Sequence, residues 1–406
     1  MEVIINIIGI MLLLWVLLSS LLTPSKAIPL AVLTLVGSFS INFFDYNFIA
    51  KMLVVLTCGI SILRYGYNKK LGKGPFLLLT GMFLVQFFVN YFRFNPSYGF
   101  IEFSTSFATI AMGFFLIYTK WSDINRKFAL KMITWSAIFA VLVGVLDKRS
   151  FFVDGRIVSV GLFAHLPFWS SLGIYSAILL DKYYKQSKYR IFIYLNFFIV
   201  LLTQSRGGAI FAFVIILPFI VNGIKKLNMK FLFVITFISP LVLGFIYVAI
   251  TKLIDRTLVN GSINTTNRFE AWSVIYELSS NNRVFGLGIG SLKTVTGEYI
   301  ISQGFSAAHN EYLRFLYESG VIGLLIIVCA MIIVFKMLLK NYIIEEKKYA
   351  YFLITGFLIY SLTDNTVSAG EFWGPFMLCV SLSFSSIVER NWKYEKQISE
   401  RYHSSI

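Results

Sequence analysis

A lone histidine stands where the longest polar stretch of the chain, roughly 251–308, gives way to an apolar run: Ala308-His309-Asn310-Glu311-Tyr312-Leu313-Arg314-Phe315-Leu316-Tyr317-Glu318-Ser319-Gly320. Imidazole, with an unperturbed pKa of about 6.5, takes and releases protons near neutrality. The chain has only three histidines. On a helix, His309, Leu313, Leu316, Gly320 and Gly323 share one face, and the glycines let a second helix approach closely. The spacing therefore predicts a base mounted at the top of a tightly packed helix. A boundary histidine also serves simply to touch headgroups or a backbone carbonyl, but the residues around His309 favour the base.

Two arginines complete the chemistry. Arg206 lies in Thr203-Gln204-Ser205-Arg206-Gly207-Gly208, a short turn between apolar runs. Its planar fork of N–H donors fits phosphate oxygens, and the neighbouring glycines free backbone N–H groups to approach an anion. Holding a lipid headgroup is the plainer role. Arg268 falls in the first turn of a predicted surface helix, where open N–H groups and the helix dipole favour an anion; pairing with Glu270 or Asp255 is the alternative. Two anion-binding arginines and one base suit transfer from a pyrophosphate-linked lipid. The arginines take the phosphates, and His309 removes the proton of an attacking hydroxyl. Glu311, Arg314 and Glu318 form a stripe on a second face of the same helix and read as a charge network positioning His309. Asn310 is a further support candidate. Asp364 and Asn365, in the last outward loop, line an acceptor path or cap their loop. There is no Asp-x-Asp pair and no His–carboxylate cluster at ligand spacing, so neither a metal nor a cofactor is expected.

The elements that must hold these residues are membrane spans. The chain is 57% hydrophobic and 14% charged, with a mean hydropathy of +0.75, which excludes a soluble globular domain. A span needs about 20 apolar residues, and candidates fall at 3–22, 27–44, 48–63, 75–92, 101–118, 129–146, 162–180, 190–203, 208–222, 230–250, 311–338, 350–363 and 372–388, of which the second and third are short. The expectation is an all-α integral membrane protein of about twelve spans, within a range of 11–13. The net charge of +16 does not indicate nucleic acid. Lys and Arg collect in alternate loops, around Lys69–Lys73, Lys120–Lys131, Lys182–Arg190, Lys225–Lys230, Lys336–Lys348 and Arg390–Arg401, and the positive-inside rule places those loops in the cytoplasm. The loops 94–100, 147–161, 204–207, 251–309 and 364–371 then face outward, His309 with them. Cys58, Cys329 and Cys379 fall within spans as small core hydrophobes.

One membrane domain is expected over 1–390, followed by a cytoplasmic tail at 391–406. The outer segment 251–309 is too short for a core of its own and should pack on the bundle. Asn267 and Glu270 make an N-cap pair, and Phe269, Trp272, Ile275 and Tyr276 an apolar stripe for a helix lying over the membrane surface. Gly286-Leu287-Gly288-Ile289-Gly290 lacks the strand–turn–helix setting of a nucleotide-binding turn and reads as a place of close backbone packing.

His309-Asn310 followed by nine residues and Gly320, Gln204-Ser205-Arg206-Gly207-Gly208, Arg268 before an aromatic residue, and the 286–290 glycine run together resemble the O-antigen ligase and polymerase family of bacterial membrane glycosyltransferases, over about 200–325. The resemblance implies a glycosyltransferase-C-like helical fold in the cytoplasmic membrane, with its site facing the periplasm or cell exterior. It also implies metal-independent, inverting transfer of an undecaprenyl-pyrophosphate-linked glycan, with His309 as base and Arg206 and Arg268 on the pyrophosphate. Arg156, in Asp154-Gly155-Arg156, carries over more weakly as a glycan or phosphate contact, and His165 is given no role. The implied partners are the lipid-linked donor, a glycan or lipid-core acceptor, membrane lipids, and a chain-length regulator or flippase. Repeat-unit polymerase is favoured over ligase. A flippase for lipid-linked sugars is the reading from a different class, but the paired half-repeats and broken helices common in transporters are not visible here.

Overall fold

The computed structural model describes residues 2–35, 46–69, 72–93, 96–146, 152–153, 156–157, 165–224, 258–259, 262–263, 268–294, 308–341 and 344–383. They are almost entirely helical. The first half carries α1 (Glu2–Leu22), α2 (Pro24–Thr34), α3 (Tyr46–Tyr65), α4 (Gly74–Arg93), α5 (Pro96–Tyr118) and α6 (Asp123–Leu146). The second half carries α7 (Leu166–Tyr183), α8 (Arg190–Thr203), α9 (Arg206–Ile224), α10 (Arg268–Ser279), the one-turn α11 (Ser291–Thr294), α12 (Glu311–Asn341), α13 (Ile344–Tyr360) and α14 over 370–383. Two antiparallel hairpins of two-residue strands, β1–β2 (Phe152–Val153 with Arg156–Ile157) and β3–β4 (Leu258–Val259 with Ser262–Ile263), interrupt them.

Among the described residues, Phe48–Tyr65, Arg206–Gly223 and Glu311–Met337 are long and apolar enough to cross a membrane, and Leu13–Leu22, Gly74–Val89 and Phe103–Tyr118 are shorter apolar helices. The span expected at 48–63 forms a full 20-residue helix. At 27–44 the described helix ends at Thr34 after 11 residues. The expected span 230–250 and the tail 391–406 lie outside the described residues.

The bundle has two distinct ends. At one, the basic loops meet: Tyr67 bridges Thr119, Lys120 Nζ donates to the Tyr65 carbonyl, and Tyr184 donates to the Asp123 carboxylate beneath Arg126 and Lys127. At the other end, α7, α9, α12 and α14 begin. Between the two ends α7 packs on α6, α8 and α9, and its face is sealed by rings. Phe168 lies against Phe211, Phe357, Tyr360 and Phe372, while Phe357 stacks on Phe376 with centroids 3.6 Å apart. These rings are almost wholly buried, which makes a stiff floor for the groups above them.

Helix α12 departs from the expectation. Gly320 sits at φ 65°, ψ −170°, breaking it into 311–319 and 321–341. The freed backbone groups pair with the segment 283–288: Leu287 N donates to Tyr317 O, Gly288 N to Glu318 O, Val321 N to Arg283 O and Ile322 N to Val284 O, over 2.7–3.2 Å. A Cβ on Gly286 would strike the Glu318 carbonyl, and one on Gly320 the Val284 carbonyl. The glycine run is therefore a place of close backbone packing, whereas Gly320 is half of a clasp, not part of a smooth helix face.

Candidate functional site

The turn 361–369, between α13 and α14, gathers the site. Glu311 N donates to Ser361 O at 2.9 Å, seating α12 on the turn. Arg268 Nη1 donates to Thr363 O at 2.7 Å, bringing the start of α10 to it. Gly207, in the first turn of α9, lies so close to Thr363 and Tyr360 that a Cβ would meet the Thr363 hydroxyl at 2.9 Å. Gly208 packs against Pro167 in the first turn of α7, and Glu371 opens α14 from the turn itself. Five helix N-termini thus meet around one turn. Each end carries roughly half a positive charge, which favours an anion there, although several first-turn N–H groups are already paired within the protein.

His309 does not ride on the helix. It precedes α12 by two residues with φ 48°, in the left-handed region. Asn310 Oδ1 accepts from Leu313 N at 3.1 Å, so the Asn310 side chain caps the helix. His309 Nδ1 faces Asp364 Oδ1 at 3.5 Å. Tyr360 Oη donates to the other oxygen at 3.2 Å, and Asn365 N donates to Oδ1 at 2.9 Å. Burial pushes the Asp364 carboxyl up, but the hydrogen bond from His309, the nearby charge of His165 and the Asn365 N–H outweigh it and hold the group below its ordinary value. A carboxylate on Nδ1 fixes the imidazole tautomer and leaves Nε2 for a substrate proton, as in other histidine–carboxylate pairs.

Beneath the site a buried charge network runs from the turn to the outer segment. Glu311 accepts from Val367 N and Ser368 Oγ at 3.1 and 3.2 Å. Arg314 bridges Glu311 at 3.1 Å and Glu318 at 2.7 Å, and Glu318 accepts from Leu292 N at 3.4 Å. All three side chains are buried. Every charge has a partner, as burial demands, and the network holds both sides of the clasp.

Arg206 begins α9 and Arg268 begins α10, and they are close enough to feel each other's charge. The Thr363 bond takes one of the five guanidinium N–H groups of Arg268 and fixes where its fork sits. Helix α10 docks differently from its sequence stripe. Ala271, Ile275 and Ser279 are buried, while Phe269 and Tyr276 are exposed and Trp272 donates to Ala308 O at 2.8 Å. Ile275 packs with Tyr317 of α12, Leu292 and Ala308. Asn267 and Asp255 lie outside the described residues, and Arg156 opens β2 where only the backbone is described.

Sequence reasoning left out three groups. Tyr360 binds Asp364, Glu371 opens α14, and His165, with φ 64°, faces Glu371 Oε1 at 3.5 Å. An acidic residue heading the last apolar run, and a histidine heading another, were the signals available. Among the described residues, no three of His, Cys, Asp and Glu gather as a metal would require.

The architecture is that of a helical membrane protein in which two arginines and a histidine–carboxylate pair gather around one turn. Residues 191–328 match the family model described as O-antigen ligase, a likeness that supports a part in surface-polysaccharide biosynthesis. The match spans Arg206, Arg268, the clasp and His309. No curated protein matches the chain.

Proposed function

We propose that the protein transfers a polyprenyl-pyrophosphate-linked glycan to a hydroxyl acceptor on the outer face of the cytoplasmic membrane, as a repeat-unit polymerase. The observation that carries this reading is the meeting of two arginines, five helix N-termini and a histidine–carboxylate pair around the turn 361–369. The acceptor hydroxyl gives its proton to His309 Nε2 as its oxygen bonds to the anomeric carbon. The bond from that carbon to the pyrophosphate breaks, and the pyrophosphate leaves with the electron pair onto Arg206, Arg268 and the helix ends. General-base assistance contributes about 10² to 10⁴ in rate, and each oriented donor on the leaving group about 2.7–4 kcal/mol.

The family's description, O-antigen ligase, favours a second reading, transfer of the glycan to a lipid core or other acceptor. Reconstituted protein given an undecaprenyl-pyrophosphate repeat unit should produce a ladder of chain lengths, and His309→Ala should produce none. A single addition to a different acceptor identifies a ligase. Vesicle-to-vesicle movement of the lipid without any new glycosidic bond refutes both.

A further inference from the structure

The pair His165–Glu371 parallels His309–Asp364, with Nε2 of His165 facing its carboxylate where His309 uses Nδ1. Each histidine is a left-handed residue at the head of a helix, with φ 64° before α7 and φ 48° before α12. Each ring nitrogen stands 3.5 Å from a carboxylate oxygen. The exposures also match: 36% for the His165 side chain and 22% for Glu371, against 35% for His309 and 21% for Asp364. Both pairs are therefore open to a ligand to the same degree. The His165 ring and the ring of Tyr360, which donates to Asp364, both pack on Phe372, so the two pairs border the same turn.

The left-handed conformation costs about 1–2 kcal/mol for a residue with a Cβ. Such strain persists where the surrounding structure imposes it, commonly at functional sites. Of the four non-glycine residues with positive φ among the described residues, three, His165, Gln204 and His309, immediately precede or lie within two residues of the helix starts that form the site. The His165 ring is wedged against Phe372, centroids 4.2 Å apart, so its plane is set by the aromatic floor. With Nε2 donating to Glu371, Nδ1 carries the lone pair and accepts a hydrogen bond. In the turn, next to Asp364, the Asn365 side-chain oxygen is buried without a hydrogen-bond partner among the described residues. The Nδ1 lone pair of His165 calls for an O–H donor, not for a phosphate.

We propose that His165, oriented by Glu371, binds a carbohydrate hydroxyl beside the reacting centre, so that the site reads its glycan with one histidine–carboxylate pair and reacts it with the other. This rests on the glycan-transfer reading above. The donor set suits a hydroxyl of the sugar at the donor or acceptor position, and analogues lacking single hydroxyls on each tell the two apart.

The experiment compares wild type, His165→Asn and Glu371→Gln on a lipid-pyrophosphate repeat unit and on single-deoxy analogues of donor and acceptor. Asn tolerates the left-handed backbone, and Gln keeps the shape of Glu371, so the second variant carries the same test should the first fail to reach the membrane. His165→Asn should lower kcat/KM about tenfold to a hundredfold, the range of one hydrogen bond to substrate, mainly through KM. One deoxy analogue should be transferred equally by wild type and variant, because the lost partners coincide. Glu371→Gln should show the same pattern with a smaller loss. Wild-type kcat/KM in both variants, or a loss equal on every analogue, overturns the proposal while leaving glycan transfer standing. Wild-type protein that transfers no glycan overturns both.

Discussion

Asp364 is the residue on which the candidate chemistry turns, because it fixes the imidazole that must accept a proton. Asp364→Asn keeps the shape and loses the charge, and transfer should fall by about a hundredfold, within the worth of general-base catalysis. The sign of the pH effect follows from its depressed value. The carboxylate stabilises the fold above its unfolded value of about 3.9, and that contribution disappears as pH falls through the lower folded value. The melting-temperature gap between wild type and Asp364→Asn should therefore shrink as pH falls below about 4; a gap that stays unchanged in acid contradicts this assignment. At Arg206 and Arg268, Lys variants should keep partial transfer and Ala variants lose more, since Lys retains charge but not the fork. Their losses should be less than additive if they grip one pyrophosphate, and transfer should survive EDTA. Restoration by added Mg²⁺ after EDTA would overturn the arginine-based account. His309, Arg206 and Arg268 were legible in the sequence because a polar group at a membrane boundary stands out against apolar runs. The partnership of His309 with Asp364, 55 residues away, follows no helical period and was not legible, and His165 was passed over for the same reason.

Among the elements, α12 and the 283–288 segment depend on each other through two glycines. Gly320→Ala places a Cβ at positive φ and against the Val284 carbonyl. It should cost at least about 2 kcal/mol, read as a lower melting temperature of the protein in detergent. Gly286→Ala should cost a similar amount, and the double variant less than the sum, since either alone opens the clasp. Simple addition would mean the two glycines act separately. Helical spacing placed Gly320 on a face with Gly323, because periodicity assumes an unbroken helix. A kink stabilised by hydrogen bonds to a segment some 30 residues upstream leaves no periodic trace. The apolar stripe of α10 divides: Ile275 is buried with Tyr317 of α12, while Phe269 and Tyr276 are exposed.

At the scale of the whole molecule, the charge asymmetry between loops agrees with the two ends of the bundle, one joining the basic loops and the other the site. In a background lacking Cys58, Cys329 and Cys379, Glu277→Cys should react with an impermeant thiol reagent added outside intact cells, and Lys188→Cys should not; the reverse labelling would put the site in the cytoplasm. The clasp also bears on how such a protein diversifies. The stretch between α11 and Ala308 is preceded by Leu287 and Gly288, which are tied to α12, and followed by the Ala308 carbonyl, which accepts from Trp272. Closing a longer loop between fixed anchors costs only about 0.6 kcal/mol for each doubling of length. Residues added between 294 and 308 should therefore leave the clasp and the His309–Asp364 pair in place, at little cost in stability.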